Sequence, residues 1–430
     1  MSGRIVHLGV GAFHRAHQAW YVHEANRRTG SAWRIGGVSL RSPAVRDALR
    51  RDGYRYALEI ADAEGRRVEV IDAIETVAVA PEDPGAVRAL LAGPETALVT
   101  ITVTEKGYHL RPDGTLDRRA VAGDIEALRN GGAPRTMPGV LLDGLRGRDG
   151  PGLTVMSCDN LSANGATLRA ALLALAEAAG IPPEVVTRHG FPASMVDRIT
   201  PAADDSLRAR IEAVGAPVRA PVATEAFTEW VVEDAFAGSM PDFAAAGVRI
   251  VDDVTPFELR KLRMLNGAHS TLAYAGLNTG YTFVHEAIAN PDLRALARAV
   301  MKEAAATLPP AVQDDAPAYA DALLRRFENP HLAHRLLQIA MDGSRKLPIR
   351  LLGTIKDRDD DAPACLRGLK EWTCWLDATF ARGAMPDDPE ADRLRAGRGR
   401  GEDGRTLLEN VGKHLERLHL RTASPPGTLA

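Results

Sequence analysis

The feature that most constrains this chain is a glycine-rich turn set between two kinds of periodicity. Arg4 to Val10 (RIVHLGV) is a short apolar, β-branched run, and Gly9-Val10-Gly11-Ala12-Phe13-His14 follows it directly. His14 to Arg28 then carries apolar residues at helical spacing. Strand, glycine turn and helix in that order form the context a dinucleotide fingerprint needs. The glycines let backbone N–H groups approach a pyrophosphate, and the helix N-terminus favours its charge. His14 stands where GxGxxG has its third glycine, and Arg15 beyond it offers a further phosphate contact. The bland alternative is an ordinary strand–turn–helix. At the end of the second strand-like run, Gly37 to Ser42 (GVSLRS) holds no acid for an adenosine ribose, and none follows until Asp47. Ser39, Arg41 and Ser42 offer a 2′-phosphate site instead, so NAD and NADP both stay open.

The alternation continues through the first part of the chain. Trp33–Leu40, Ala97–Val103 and Leu153–Ser157 read as strands, and Pro43–Arg50, Pro84–Leu91 and Ala163–Ala179 as helices. Tyr54–Ile60 and Arg67–Ile71 flank a Glu64-Gly65 turn and read as a hairpin. Such alternation predicts a parallel sheet with crossover helices. After about residue 240 the pattern becomes helical: Pro256–Ala275, Asp292–Ala306, Pro317–Phe327, His331–Met341, Ala364–Thr379 and Thr406–Leu418 all show helix-period apolar spacing. The expected fold is α/β. A Rossmann-type dinucleotide-binding domain spans 1–240, and a mostly α-helical substrate and catalytic domain spans 241–430. Gly397-Arg-Gly-Arg-Gly401 and the segment from Ser424 to Ala430 read as flexible.

Composition narrows the function classes. The 430 residues carry a formal net charge of −3, with 45% hydrophobic and 25% charged residues. That excludes a strong basic field for nucleic acid and fits a soluble globular chain. No apolar run is long enough for a membrane span, and Met1-Ser2-Gly3-Arg4 lacks the pattern of a signal peptide. Three cysteines without a CxxC pair suit a reducing compartment, so a cytoplasmic protein is expected. HExxH, GxSxG and GxxxxGK[ST] are all absent from the sequence, and no metal is expected.

The densest chemistry lies in Pro256 to Ser270 (PFELRKLRMLNGAHS). On a uniform helix, with Lys261 at zero, Glu258 falls at about 60°, His269 at about 80° and Asn266 at about 140°. These groups share one side with Leu262 and Leu265. A lysine among apolar groups loses hydration and can serve as a general base. Asn266 can donate to a developing oxyanion, His269 can orient a hydroxyl, and Glu258 can relay a proton. A surface salt bridge of Glu258 with Lys261 is the structural alternative.

Several segments, in order, resemble the mannitol dehydrogenase family of polyol-specific long-chain dehydrogenases. They are Ile5–Gln18 (IVHLGVGAFHRAHQ), Thr102–Tyr108 (TVTEKGY), Val155–Asn160 (VMSCDN), Met195–Pro201 (MVDRITP), Val254–His269 and Ile339–Pro348 (IAMDGSRKLP). The family includes mannitol 2-dehydrogenases and fructuronate reductases. The resemblance implies metal-independent hydride transfer between a nicotinamide cofactor, NAD or else NADP, and C2 of a sugar alcohol, ketose or sugar acid. It implies Lys261 as general acid/base, Asn160 and Asn266 on the reacting oxygen, His269 and Asp197 on the substrate, and Glu258 on the proton path. Gly9, Gly11, Ala12, Phe13, His14, Arg15, Arg41, Thr104 and Glu105 fall on the cofactor side. Gln338 stands where mannitol dehydrogenases have a polyol-contacting arginine, while Arg335, Arg345 and Lys346 offer partners for a carboxylate. The resemblance fades beyond about residue 355. The expected assembly is a monomer or small homo-oligomer. The main reading is a mannitol 2-dehydrogenase-type enzyme, with a fructuronate reductase as alternative. A non-catalytic NAD-binding sensor is the reading of another class, and turnover separates it from both.

Overall fold

The computed structural model describes residues 2–111 and 113–422, with side chains set aside at 205 and 416–422. The chain divides into two compact units, Met1–Thr255 and Pro256–Ala430. The division falls later than the 240/241 boundary expected from periodicity. The reason is local: β11, a three-residue strand at Arg249–Val251, pairs within the first unit.

Among the described residues, the first unit holds eleven strands. They are β1 Ser2–Leu8, β2 Ala32–Ser39, β3 Tyr56–Ala61, β4 Arg66–Ile71, β5 Ile74–Val79 and β6 Thr96–Ile101. The rest are β7 Thr154–Ser157, β8 Ser194–Asp197, β9 Val222–Glu225, β10 Glu229–Glu233 and β11. Five form a parallel sheet in the order β5-β2-β1-β6-β7. The order reverses between β1 and β6, so the carboxyl ends of these two strands border the crevice where doubly wound sheets bind ligands. Parallel strands are buried on both faces. Ile5 and Leu98 accordingly enter a cluster with Trp33, Tyr21 and Trp230, while Val6 and Val99 enter the opposite one with Leu141 and Leu172.

The hairpin forms as expected, β3 pairing antiparallel with β4, and β9 extends it in parallel register. A third sheet, β11-β10-β8, ends on Asp197 opposite Glu229. Strands β5 and β8 to β11 carry weak sequence signals because most are only three to five residues long.

The second unit is helical. Its centre is Asn266–Asn278, where every residue from Gly267 to Gly276 is buried; a helix buried all round belongs to a core. It packs on Pro291–Ala305 and Pro363–Ala381. Two expected features differ. His331–Met341 is helical only over Leu336–Ile339, because Ala333 takes φ +42° and Arg335 forms an extended bridge with Phe283. Gly397 to Gly399 closes the helix Ala391–Gly399, and Arg398 is held by Asp377; the segment 424–430 lies outside the described residues. Among the described residues no helix is long and apolar enough to cross a membrane, and no group of His, Cys, Asp or Glu is arranged to hold a metal ion.

Candidate active site

In the first unit, a pocket of about 550 Å³ opens at the carboxyl ends of β1, β2 and β6. Gly9, Gly11, Ser39, Arg41, Thr102 and Thr104 line it, together with His109, Arg135 and Met137. Gly9 shapes its floor. Its φ is +102°, and a Cβ there would fall 2.1 Å from the Thr102 carbonyl oxygen. Only glycine tolerates both demands. Beneath it, His7 Nδ1 lies 2.8 Å from Thr100 Oγ1, and its Nε2 lies 2.8 Å from Thr102 Oγ1 and 3.2 Å from Gly9 O. Thr102 Oγ1 also donates to Gly9 O at 2.9 Å. The ring thus ties β1, β6 and the glycine turn together. Its burial holds His7 down to about 3, so it works as a neutral imidazole. The volume suits a ligand, and a floor with no side chain to keep backbone amides from a phosphate fits a dinucleotide.

Several residues expected on the cofactor side lie outside the lining of this pocket. Arg15 is not among the lining residues: its guanidinium donates to Ala220 O and Gly11 O and lies 5.6 Å from the Tyr56 ring centre. His14 is fully buried and stacks on His7 at 3.4 Å. Ala12 and Phe13 open the short helix Ala12–Ala16, and Glu105 opens a 3-10 turn at Glu105–Tyr108; none of the three lines the pocket. Arg41 and Thr104 do.

Asn160 lies in the loop after β7, and Asp197 ends β8 as a buried residue. One side chain joins these two elements. Asn164 Nδ2 donates to Asp159 O at 3.0 Å and to Ser194 O at 2.8 Å, and its Oδ1 accepts from Ser194 N.

In the second unit, the segment read as one uniform helix is three pieces. The α-helix Thr255–Arg260 passes through a π-helical turn, Lys261–Leu265, into Asn266–Asn278. The N–H of Asn266 bonds the carbonyl of Lys261, which is an i→i+5 bond. The uniform wheel put Asn266 about 140° from Lys261, at the far end of their shared side; the wider turn brings it round so that the two succeed one another along the axis. Single π turns of this kind occur often at functional sites. Lys261 is buried, while Glu258 and Asn266 are half-buried. The flanking arginines hold the turn. Arg260 lies 4.1 Å over the Tyr319 ring, and Arg263 reaches Thr307 Oγ1 at 2.7 Å and Asp357 at 2.6 Å.

A second π turn, Pro348–Leu352, packs on the first. The approach is close: a Cβ on Gly267 would lie 2.8 Å from Arg350 O. Arg350 donates to Ser270 Oγ at 2.9 Å, and burial lowers it to about 10, so it stays charged near neutrality. His269 stacks on Phe327 at 5.1 Å, with His334 edge-on at 5.0 Å. Burial, and then the charges of His334, Arg326, Arg350 and Lys346, hold His269 well below its ordinary value. Lys346, itself lowered by burial, bonds Met341 O at 2.7 Å. Arg335, Gln338 and Arg345 are exposed, Arg335 over the ring of Phe283. The sequence reading passed over Arg350, His7, Tyr108 and Asp159. Tyr108 and Asp159 stand inside the quoted segments TVTEKGY and VMSCDN, next to residues it did select.

Comparison with known proteins identifies the family. Residues 3–244 match the mannitol dehydrogenase Rossmann domain, and residues 253–409 match the mannitol dehydrogenase C-terminal domain, so the likeness continues past 355. The D-mannonate oxidoreductase of Escherichia coli K12 is 42% identical over 374 residues, covering 83% of this chain and 76% of its own. A mannitol 2-dehydrogenase of Phaeosphaeria nodorum is 39% identical over 419 residues, covering 91% and 72%. The Pseudomonas fluorescens mannitol 2-dehydrogenase, solved as a ternary complex with NAD and D-mannitol, superimposes with a TM-score of 0.76 at 34% identity, covering 92% of this chain and 84% of that one. With both of its domains matched, the chain belongs to the mannitol dehydrogenase family.

Proposed function

We propose that this chain is a nicotinamide-dependent oxidoreductase that moves a hydride to or from C2 of a sugar alcohol or sugar acid. NAD is the cofactor that the relatives support. When bound, the cofactor takes up or supplies the hydride. Gly9, Gly11 and Thr102 would hold its phosphates, and Arg41 would face the adenosine ribose.

The observation that carries the reading is a buried lysine whose carbonyl is bonded by the N–H of Asn266 across one π turn. Lys261 takes the C2 hydroxyl proton in oxidation and returns it in reduction. The side-chain amides of Asn266 and Asn160 donate to the oxygen as charge develops on it. Asp197 and His269 orient the other hydroxyls, and Glu258, one turn before the lysine, carries the proton outward. His269 is neutral, so it can accept one hydrogen bond and donate another. Lys261→Ala should lower kcat by about 10²- to 10⁴-fold, the usual worth of general acid–base catalysis, with NADH affinity unchanged in fluorescence titration. Near wild-type turnover in that variant would remove Lys261 from the mechanism.

A specific observation favours the sugar-acid substrate as the second reading. Arg326, Arg350 and Lys346 lie near enough to His269 for their charges to push it down, a cationic setting that favours a carboxylate over a neutral polyol. Steady-state rates with mannitol–fructose and mannonate–fructuronate, each with NADH and NADPH, separate the two.

A further inference from the structure

The mechanism above uses Asn160 and leaves unexplained the buried polar group beside it. Asp159 is 7% exposed. Its Oδ1 accepts from the backbone N–H of Val103 at 2.6 Å, and its Oδ2 accepts from the Tyr108 hydroxyl at 2.6 Å. The same hydroxyl lies 2.6 Å from Ser157 Oγ, which in turn accepts from the N–H of Asp159 at 3.3 Å. Three segments therefore meet on one carboxyl: the chain leaving β6, the 3-10 turn Glu105–Tyr108 and the loop after β7. From the other side, Asn164 clamps the Asp159 carbonyl to β8. Asn160 is the next residue along. Val103 and Thr104, at the end of β6, line the cofactor pocket.

A buried carboxyl is costly unless its oxygens are bonded, and here both are. An amide could fill the same space and pin the loop. What the carboxylate adds is charge-assisted bonds, about twice as strong as neutral ones. Burial pushes Asp159 up to about 7, while the bonds from Tyr108, Val103 and Ser157 pull it down. The titratable groups facing it are Tyr108 from the 3-10 turn and Cys158 beside it in the chain. Burial and the charge of Asp159 push both up, so both keep their protons near neutrality.

We infer that Asp159, with Tyr108, is a positioning pair that fixes Asn160 against the rim of the cofactor pocket, so that the reacting oxygen and the cofactor are held by one rigid piece of chain. The inference rests on the role given to Asn160 above. As pH falls through about 7 the carboxyl gains a proton. Its acceptor strength toward Val103 and Tyr108 then drops, and the loop loosens.

The test compares Asn160→Ala, Asp159→Ala, Asp159→Asn and Tyr108→Phe in the full-length protein. The readouts are kcat, KM for the sugar and the NADH Kd on both sides of pH 7. Asn160→Ala and Asp159→Ala should each lower kcat by about 10- to 100-fold, the scale of a misplaced catalytic group. Only Asp159→Ala should also weaken NADH several-fold, through Val103. Asp159→Asn should recover most of kcat and lose the change in NADH Kd near pH 7. Tyr108→Phe should fall between. Normal kcat and Kd in folded Asp159→Ala, with Asn160→Ala impaired, would overturn the positioning role alone. Normal kcat in Asn160→Ala would overturn the role of Asn160 and this inference with it. If Asp159→Ala does not fold, an unchanged pH profile in Asp159→Asn overturns the inference.

Discussion

His7 shows how a residue legible only as part of a strand becomes a structural fixture. The sequence places it mid-run in RIVHLGV, where a polar residue reads as an ordinary alternation. Its ring bonds Thr100 on β6, Thr102 just past the end of β6, and the carbonyl of Gly9; the two threonine contacts join segments far apart in sequence. Arg15 is the opposite case. Its position after the glycine turn suggested a phosphate contact, but the carbonyl of Ala220, far along the chain, claims it. Lys261, Asn266 and His269 could be proposed from the sequence because their residue types and spacing within one segment suggest acid–base chemistry, with a surface salt bridge as the alternative. The depressed pKa of His7 has a consequence for stability. The unfolded chain takes up the proton near 6.5 and the folded one only near 3. Stability is therefore fully present above 6.5 and is lost as pH falls from there toward 3. At about 1.4 kcal/mol per unit, the cost by about pH 4.5 reaches ~3 kcal/mol. Urea unfolding at both pH values should show that loss in the wild type and a shallower one in His7→Gln. Equal slopes would mean that His7 is not kept neutral by the fold.

At the scale of elements, the parallel sheet and its crossovers were legible because strand and helix periods differ sharply. The π turns were not, since a wheel of fixed step assumes the geometry it is used to find. Their packing depends on Gly267, which admits the backbone of the second π turn. Gly267→Ala should therefore cost about 1–3 kcal/mol through overpacking, and should lower kcat more than it raises the KM for NADH. A melting temperature and kcat both at wild-type values would show that the two turns can separate freely. At the end of β2 the argument concerns the cofactor. Ser39, Leu40, Arg41 and Ser42 line the pocket with no carboxylate among the lining residues, and the nearby acids Asp47 and Glu82 are both paired to Arg46. That lining holds no group to repel a 2′-phosphate, which makes NADPH the cofactor to test against NADH. Arg41→Asp should reduce the NADPH-to-NADH ratio of kcat/KM by about tenfold or more, the worth of one charge-assisted contact. An unchanged ratio would place the ribose elsewhere.

For the whole molecule, the sequence told what class of chain this is and where its two kinds of architecture lie. It could not separate neutral from charged substrates, because that depends on which cations are buried together. Arg335 and Arg345 looked as suitable as Lys346 in the sequence; the fold leaves both arginines exposed and half-buries Arg350 instead. A formal net charge of −3 gives an anionic substrate no long-range attraction. Any preference for a sugar acid must then come from the few charges beside His269. Exposed charges would be almost fully screened at physiological salt, and buried ones much less. Raising salt from about 0.05 M to about 0.5 M should therefore lower kcat/KM for mannonate only a few-fold and leave mannitol unchanged. Arg350→Met should raise the KM for the acid about tenfold or more, as expected for a lost charged hydrogen bond, with little effect on the neutral polyol. Equal responses of the two substrates to salt and to this substitution would show that these cations serve the fold, and would return the substrate assignment to the neutral polyol.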